Sequence, residues 1–357
     1  MIILQVIAVA VMFGFVMFIH ELGHFLIAKK MKVKVLDFSL GFGPEIIGLT
    51  KGDTRYSIRP ILFGAFVNMA GDDLDKATGN EDEFLSQAWY KKFLIVLAGP
   101  VMNYISAFIL FFMIIIFWGV QYQRPVVKYV EKNMPAYSAG MLSGDEITAV
   151  NGQIIKDARI ISKVVKESAD KKITLAIKRG AEFLDIDIVP VMDKKLKQSR
   201  IGIIYDIAAQ PITVKVGFKE ALSETLKNIW YWTVTPLKYL YSKVILMEAP
   251  SEMSGPIGIM QAAFVTAKYG FKIFLNFIAI VSVALGFFNL LPIPLVDGGH
   301  MFFFLMEGIT KKRLNKKFMQ FANSLGFAFL ITIAVYATYR DIVRTTSGFW
   351  KQTEQVK

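Results

Sequence analysis

Four long apolar runs divide the chain. The first covers residues 1–28 and carries the segment His-Glu-Leu-Gly-His near its end, and three uncharged runs follow at 93–120, 273–296 and 318–339. Each has roughly the 20 residues that a helix needs to cross a hydrocarbon core of about 30 Å. The pattern therefore predicts a polytopic α-helical membrane protein with four transmembrane helices.

A cleaved signal peptide is the alternative interpretation of the first run. Such a signal usually begins with a basic segment and ends in a small-residue cleavage site. This run instead begins Met-Ile-Ile-Leu and continues into His-Glu-Leu-Gly-His. We therefore interpret it as a retained helix.

The composition agrees with a membrane protein that has a soluble part. The chain is 54% hydrophobic with a net charge of +12, and its mean hydropathy is +0.45, which is too apolar for an ordinary soluble protein. Basic residues flank the first connection at Lys29, Lys30, Lys32, Lys34, Lys91 and Lys92, and fill the last one at Lys311, Lys312, Arg313, Lys316 and Lys317. The positive-inside rule places both connections in the cytoplasm and both termini outside. The charge therefore requires no nucleic-acid partner.

The connections between the runs differ in composition. Residues 35–71 form short strand-like segments between glycine-rich turns, which predicts a membrane-associated β-hairpin region, with a simple connecting hairpin as the alternative. Residues 121–205 mix strand-like segments with one helix-like stretch at 158–168, which predicts one extracytoplasmic α+β domain. Apolar and aromatic residues then recur at helical spacing, which predicts an amphipathic interfacial helical region over 206–270.

The first run carries candidate metal chemistry. The chain has no cysteine, so zinc could be held only by His, Asp or Glu. In a helix, His20 and His24 lie on one face and can bind one Zn²⁺, and Glu21 is placed as the general base. A carboxylate within an apolar span costs several kcal/mol unless it is paired or functional. The alternative is a polar cluster that merely marks the end of a span.

A catalytic zinc site needs a third protein ligand and one open position. Within residues 273–306 the ionisable residues are Asp297 and His300, and they follow Pro292 and Pro294, which must interrupt the helix. Irregular backbone at membrane depth is tolerated only where protein or a water-filled cavity surrounds it. We predict Asp297 as the third ligand, with His300 as the rival and a helix cap as the structural alternative for Asp297.

Together these motifs resemble the site-2 family of intramembrane zinc metalloproteases, and within it the bacterial RseP-like group. The resemblance covers nearly the whole chain and rests on four motifs, namely His20-Glu-Leu-Gly-His-Phe, Gly99-Pro-Val-Met-Asn103, Ser254-Gly-Pro-Ile-Gly258 and Asn289-x-x-Pro-x-Pro-x-x-Asp297-Gly. Residues 135–152 look like the core of a PDZ domain. Only one copy fits, so a mechanism that needs two tandem PDZ domains does not transfer. A minor departure is Val296, where relatives commonly have leucine.

The resemblance implies one zinc ion per chain and a site in the bacterial inner membrane that opens toward the cytoplasm. Its substrate would be a single-pass membrane protein, such as an anti-sigma factor or a signal-peptide remnant, cut within or near its transmembrane helix after an upstream site-1 protease has shortened it. Asn289 would contact the substrate or the developing oxyanion. For Asn103 we favour a packing role. A β-edge for the unwound substrate would come from Gly64, Ala65, Phe66, Val67, Asn68 and Met69.

Three other functions remain open at this point. A metal transporter could use His20, His24 and Asp297 as a transit site, and a membrane adaptor could use the PDZ domain without any activity. Neither of these needs Glu21 beside the histidine pair. A membrane zincin that cuts soluble or exposed segments would keep the same motif, and only its substrates would differ.

Overall fold

The computed structural model describes residues 2–73, 75, 77–155, 157–193, 198–206, 209, 211–245 and 255–354. Its helices are α1 Ile2–Lys30, α2 Trp89–Trp118, α3 Pro135–Ser138, α4 Ala158–Glu167, α5 Phe218–Ile245, α6 Pro256–Lys268, α7 Phe271–Leu290, α8 Asp297–Thr310 and α9 Lys316–Glu354. Its strands are β1 Val35–Phe42, β2 Ile47–Lys51, β3 Thr54–Ile58, β4 Ile61–Met69, β5 Val120–Tyr122, β6 Val127–Val130, β7 Glu146–Val150, β8 Gln153–Ile154, β9 Ile173–Arg179, β10 Glu182–Ile188, β11 Val191–Asp193, β12 Gln198–Arg200, β13 Ile203–Tyr205 and β14 Ile212–Val214.

The chain divides into two compact units. The first combines Met1–Ile114 with Ala221–Lys357, and the second is Ile115–Glu220. Because each unit has its own core, they are described separately.

The first unit holds the membrane-spanning helices. Among the described residues, four segments are long and apolar enough to cross a membrane, Gln5–Lys30, Trp89–Trp118, Phe271–Leu290 and Lys316–Arg344. They coincide with the four apolar runs and confirm a polytopic helical membrane protein. The third helix is shorter than its run, because Leu291 is already extended, with φ −66° and ψ 140°. Pro292 follows it and disfavours the helical conformation in the preceding residue.

Residues 35–69 form more than the hairpin that the sequence predicts. They build a four-stranded sheet in the order β2-β3-β1-β4, in which β1 runs parallel to β3 and antiparallel to β4. The sheet is attached to α1 through aromatic contacts, since the ring of Phe38 stacks on Phe25 with 4.8 Å between centroids. β4 lies at an edge of the sheet, so one side of its backbone is free of a neighbouring strand.

The second unit is an α+β unit with a core of its own. Its main sheet has the order β10-β9-β7-β8, and α4 packs on it through Ile161, which is buried with Leu175 and Ile177. Asp145 is fully buried and accepts hydrogen bonds from Arg179. Burial raises the pKa of Asp145, but the hydrogen bonds from Arg179 and from the backbone N–H of Leu142, together with the charge of Arg179, outweigh burial and hold the pKa below its usual value. The unit extends past residue 205, because β14 pairs with β5.

The region predicted to be interfacial contains two helices. Along α5, Trp230, Tyr231 and Tyr241 are exposed, whereas Trp232 packs against the buried cluster of the spanning helices. At the start of α6, the backbone N–H of Gly258 donates to the carboxylate of Asp341 with an N···O distance of 2.7 Å. Residues 246–254, which include the first residue of the Ser-Gly-Pro-Ile-Gly motif, lie outside the described residues. The interfacial placement of α5 stays a prediction.

Candidate metal centre

The two motif histidines share one face of α1. Their spacing of four residues brings the rings together, and Nε2 of His20 lies 3.2 Å from Nε2 of His24. Both side chains are buried, with 5% of His20 and 7% of His24 exposed. Two imidazole nitrogens therefore point at the same place inside the protein.

Asp297 completes the group at the first residue of α8. Its Oδ2 lies 3.1 Å from Nε2 of His20 and 3.6 Å from Nε2 of His24. Ligands about 2.0–2.2 Å from a tetrahedral zinc ion are separated by about 3.3–3.6 Å, and the three distances here, 3.1, 3.2 and 3.6 Å, are close to that range. Among the described residues, Oδ2 of Asp297 is also buried without a hydrogen-bond partner. The donor set fits a zinc ion that keeps one position open.

The turn before α8 places Asp297 at this point. A Cβ atom on Gly298 would lie 2.1 Å from the carbonyl oxygen of Leu291, and one on Gly299 would lie 2.2 Å from that of Ile293, so both positions require glycine. Leu295 adopts a φ of 86°, a left-handed conformation that a leucine rarely takes. The tight and strained turn folds the chain back, and the carboxylate thereby reaches the histidines on α1.

Helix α2 supports both histidines from the side away from Asp297. Nδ1 of His24 donates a hydrogen bond to the carbonyl oxygen of Ile95, at 2.9 Å. Such a bond fixes the proton on Nδ1 and leaves Nε2 free to bind a metal. Nδ1 of His20 lies 3.1 Å from the side-chain amide of Asn103. The sequence pattern favours a packing role for Asn103 and gives no indication of this contact.

Glu21 faces a cavity and the edge of the sheet. The backbone N–H of Val67 on β4 donates to Oε2 of Glu21 over 3.1 Å. The cavity has a volume of about 490 Å³. Its lining comprises His20, Glu21, His24, Val67, Met69, Asp72, Asp73, Asp75, Phe84, Leu85, Val96, Asp297, His300, Phe304, Met319, Gln320 and Asn323. A substrate in this cavity would meet the metal ligands, Glu21 and β4 together.

The remaining predicted site residues lie around this centre. Nδ2 of Asn289 lies 3.3 Å from Nε2 of His20, and the predicted stretch from Gly64 to Met69 lies on β4. His300 lines the cavity, and the centroid of its ring lies 6.2 Å from that of Phe303 and 6.4 Å from that of Phe304. Among the described residues, the group that could hold a metal contains Asp297 and does not include His300.

Sequence reasoning did not identify several cavity residues. The loop after β4 contributes Asp72, Asp73 and Asp75, and α9 contributes Gln320 and Asn323. The run of acidic residues in the loop was visible as a charge pattern. The two amides gave no signal, because polar residues are common near the end of a span.

Comparisons with known proteins identify the family of the chain. The model of peptidase family M50 matches residues 8–333. A protein of Clostridium acetobutylicum named "putative zinc metalloprotease" is 35% identical over 93% of this chain and 95% of its own length. The regulator of sigma-W protease RasP of Bacillus subtilis is 28% identical over 95% of this chain and 98% of its own length.

A similarity to a solved structure covers a small part of the chain. The PDZ domain of an SdrC-like protein from Listeria monocytogenes is 25% identical and covers 24% of this chain and 90% of its own, with a TM-score of 0.22. A score this low carries no argument, and the PDZ assignment stays a prediction from the sequence.

The family match includes the segments that carry His20, Glu21, His24 and Asp297. It extends over most of the chain, and the relatives align over nearly their whole lengths. The chain therefore belongs to peptidase family M50, the site-2 protease family, and is a zinc metalloprotease of the RseP-like group.

Proposed function

We propose that this protein is an intramembrane protease that hydrolyses a peptide bond within or near the transmembrane helix of a single-pass membrane protein. The observation that carries the proposal is the convergence of three buried ligand atoms, from His20, His24 and Asp297, beside Glu21 and the edge of β4. The histidines and Glu21 belong to a helix that can cross the membrane. Neither a transporter nor an adaptor explains a carboxylate and a β-edge at the same site.

One zinc ion per chain would be held by Nε2 of His20, Nε2 of His24 and Oδ2 of Asp297. When bound, the ion supplies Lewis-acid chemistry, which polarises a carbonyl and acidifies water. Glu21 acts as the general base that takes the proton of the attacking water and later gives it to the leaving amine. The hydrogen bond from Val67 holds Oε2 of Glu21, so Oε1 is available for that proton.

Two polar features would bind the substrate backbone. The amide of Asn289 lies beside His20, where it can donate a hydrogen bond to the developing oxyanion. A substrate helix must lose its internal hydrogen bonds before its peptide bond can be attacked, and such losses are costly in a membrane. The free edge of β4, over residues 64–69, offers replacement hydrogen bonds by strand addition.

The orientation and the substrates follow from charge and family. The basic connections support a proposed orientation by the positive-inside rule, with the active site toward the cytoplasmic side of a bacterial inner membrane and the second unit and both termini outside. The name of the RasP relative states that it regulates sigma-W. By analogy, the substrates proposed here are membrane proteins such as an anti-sigma factor or a signal-peptide remnant, cut after an upstream protease has acted.

The test is cleavage of a single-span model substrate in lipid vesicles. Wild-type protein should cut it, and mass spectrometry of the fragments should place the cut within or next to the membrane segment. Glu21→Gln should retain zinc and lose cleavage, while the control Glu45→Gln, an exposed carboxylate next to Arg55, should cut normally. Cleavage by Glu21→Gln would contradict the mechanism. Cleavage of a soluble, unstructured peptide alone would favour the zincin that acts on exposed segments.

A further inference from the structure

We infer that Asn103 is a positioning residue that orients the zinc ligand His20 by accepting a hydrogen bond from its Nδ1. This inference rests on the proposed zinc site. Asn103 is fully buried on α2, and its side-chain amide lies 3.1 Å from Nδ1 of His20. That nitrogen is on the opposite side of the ring from Nε2, which faces Asp297.

The chemistry of the two side chains decides which amide atom faces the ring. A neutral imidazole that presents a bare Nε2 to a metal carries its proton on Nδ1 and needs an acceptor there. With Nδ2 of Asn103 facing the ring, two donors would meet, while Oδ1 is buried without a hydrogen-bond partner among the described residues. The two amide orientations differ only by exchange of oxygen and nitrogen. With Oδ1 facing the ring, the Nδ1 proton of His20 has an acceptor and Oδ1 of Asn103 has a donor.

The same arrangement already exists at the second histidine. Nδ1 of His24 meets the carbonyl oxygen of Ile95 on α2. Ile95, Gly99 and Asn103 are spaced four residues apart and therefore lie on one face of α2. On this face the carbonyl oxygen of Ile95 accepts from His24, and Oδ1 of Asn103 would accept from His20. Between them, Gly99 has no side chain and leaves room for both rings.

Asn103 is itself held by hydrogen bonds from two helices. Its backbone carbonyl oxygen accepts from the hydroxyls of Ser106 at 2.9 Å and Ser282 at 3.0 Å. Ser282 lies on α7, so the hydroxyls connect α2 to the helix that leads to Asp297. Polar groups inside an apolar bundle are costly unless they are paired. The hydroxyls therefore hold the backbone of Asn103 where α2 meets α7, and the buried side-chain amide of Asn103 extends from this point to His20.

Zinc affinity measures this role without reference to turnover. We expect Asn103→Ala to bind zinc about 10–100-fold more weakly in chelator competition, the usual effect of removing a hydrogen-bond partner of a metal-binding histidine. Asn103→Asp should bind within a few-fold of wild type, because a carboxylate can only accept. The matched control Ser282→Ala removes a hydroxyl that binds the backbone of Asn103 but leaves its amide, and it should bind normally. Co²⁺ absorption spectra should show a disturbed ligand geometry in Asn103→Ala alone.

Wild-type zinc affinity in Asn103→Ala would overturn the inference. So would equal losses in Asn103→Ala and Asn103→Asp, which would indicate packing or a donated hydrogen bond. If Asn103→Ala fails to fold, Asn103→Asp alone decides: wild-type affinity supports the acceptor role, and weak binding contradicts it. His20→Ala tests the proposed zinc site on which this inference rests. Undiminished zinc binding by His20→Ala would refute that site, whatever the result for Asn103.

Discussion

Gly99 lies where α2 passes the two zinc-site histidines. A Cβ atom there would be 2.4 Å from Nε2 of His24 and 2.8 Å from Cε1 of His20. On the facing helix, a Cβ atom on Gly23 would be 2.2 Å from the carbonyl oxygen of Ala98. These two glycines allow the helix backbones to approach closely, and the rings occupy the space that a side chain would fill.

Replacement of Gly99 by alanine should therefore damage the metal site. The added methyl group must displace at least one ring, so we expect Gly99→Ala to lose most of its zinc and to unfold more easily, by about 1–3 kcal/mol. Elemental analysis and detergent unfolding measure the two effects. Gly217→Ala is the control, because nothing lies within 4 Å of a Cβ atom there. Full zinc occupancy in Gly99→Ala would show that the helices tolerate the methyl group.

The ionisable residues of the site were easier to predict from the sequence than the residues that form hydrogen bonds with them. Ionisable residues within apolar runs are rare, so His20, Glu21 and Asp297 were conspicuous. The contact of Asn103 with His20 was not predictable, because a buried amide has the same sequence pattern whether it packs or bonds. The sequence predicted Asp297 as the third ligand with His300 as the rival, and the choice between them depends on how the turn at 291–299 folds.

Among the elements, the sheet and the paired helices α2 and α8 differ in how far they could be predicted. The strands of residues 35–69 were visible as short apolar segments, but the parallel pairing of β1 with β3 is not local and has no sequence signal.

Lys92 on α2 was assigned to the basic flank of a span. In the structure its side chain is 2% exposed, and its Nζ lies 2.5 Å from Oε2 of Glu307 on α8 and 4.7 Å from the centroid of the Phe304 ring.

This buried ion pair should connect α2 to α8. Lys92→Met leaves the carboxylate of Glu307 buried without its partner, which should cost about 3–5 kcal/mol of unfolding free energy. Lys92→Met combined with Glu307→Leu should recover most of that loss. Titration with SDS in mixed micelles provides the measurement. The control is Lys227→Met, which removes the exposed pair with Glu224 and should cost less than about 1 kcal/mol. Equal losses of unfolding free energy in Lys92→Met and Lys227→Met would argue against a stabilising pair.

For the whole molecule, the apolar runs predicted the four candidate spans found among the described residues, and the orientation drawn from the basic connections stays a prediction. Helix ends were less predictable, since α7 stops at Leu290 where prolines follow. The boundary of the second unit was also moved by the distant pairing of β5 with β14. The first difference is a local effect of Pro292 on the residue before it, whereas the second comes from a strand pairing that is not local in sequence.

The proposed orientation can be tested with single cysteines, because the natural chain has none. Lys171→Cys lies in an exposed turn of the second unit, and Lys312→Cys lies in the exposed connection between α8 and α9. In intact spheroplasts, a membrane-impermeant maleimide should label Lys171→Cys at once and Lys312→Cys only after permeabilisation. The reverse labelling order would place the active site on the outer side.

The most direct test of the metal assignment is the zinc content of purified Asp297→Ala compared with His300→Ala. We predict one zinc ion per wild-type chain, loss of the metal in Asp297→Ala, and retention of one zinc with reduced cleavage in His300→Ala. The prediction follows from Oδ2 of Asp297, which lies within 3.6 Å of both histidine nitrogens. Retention of zinc by Asp297→Ala together with its loss in His300→Ala would contradict the site described for this protease.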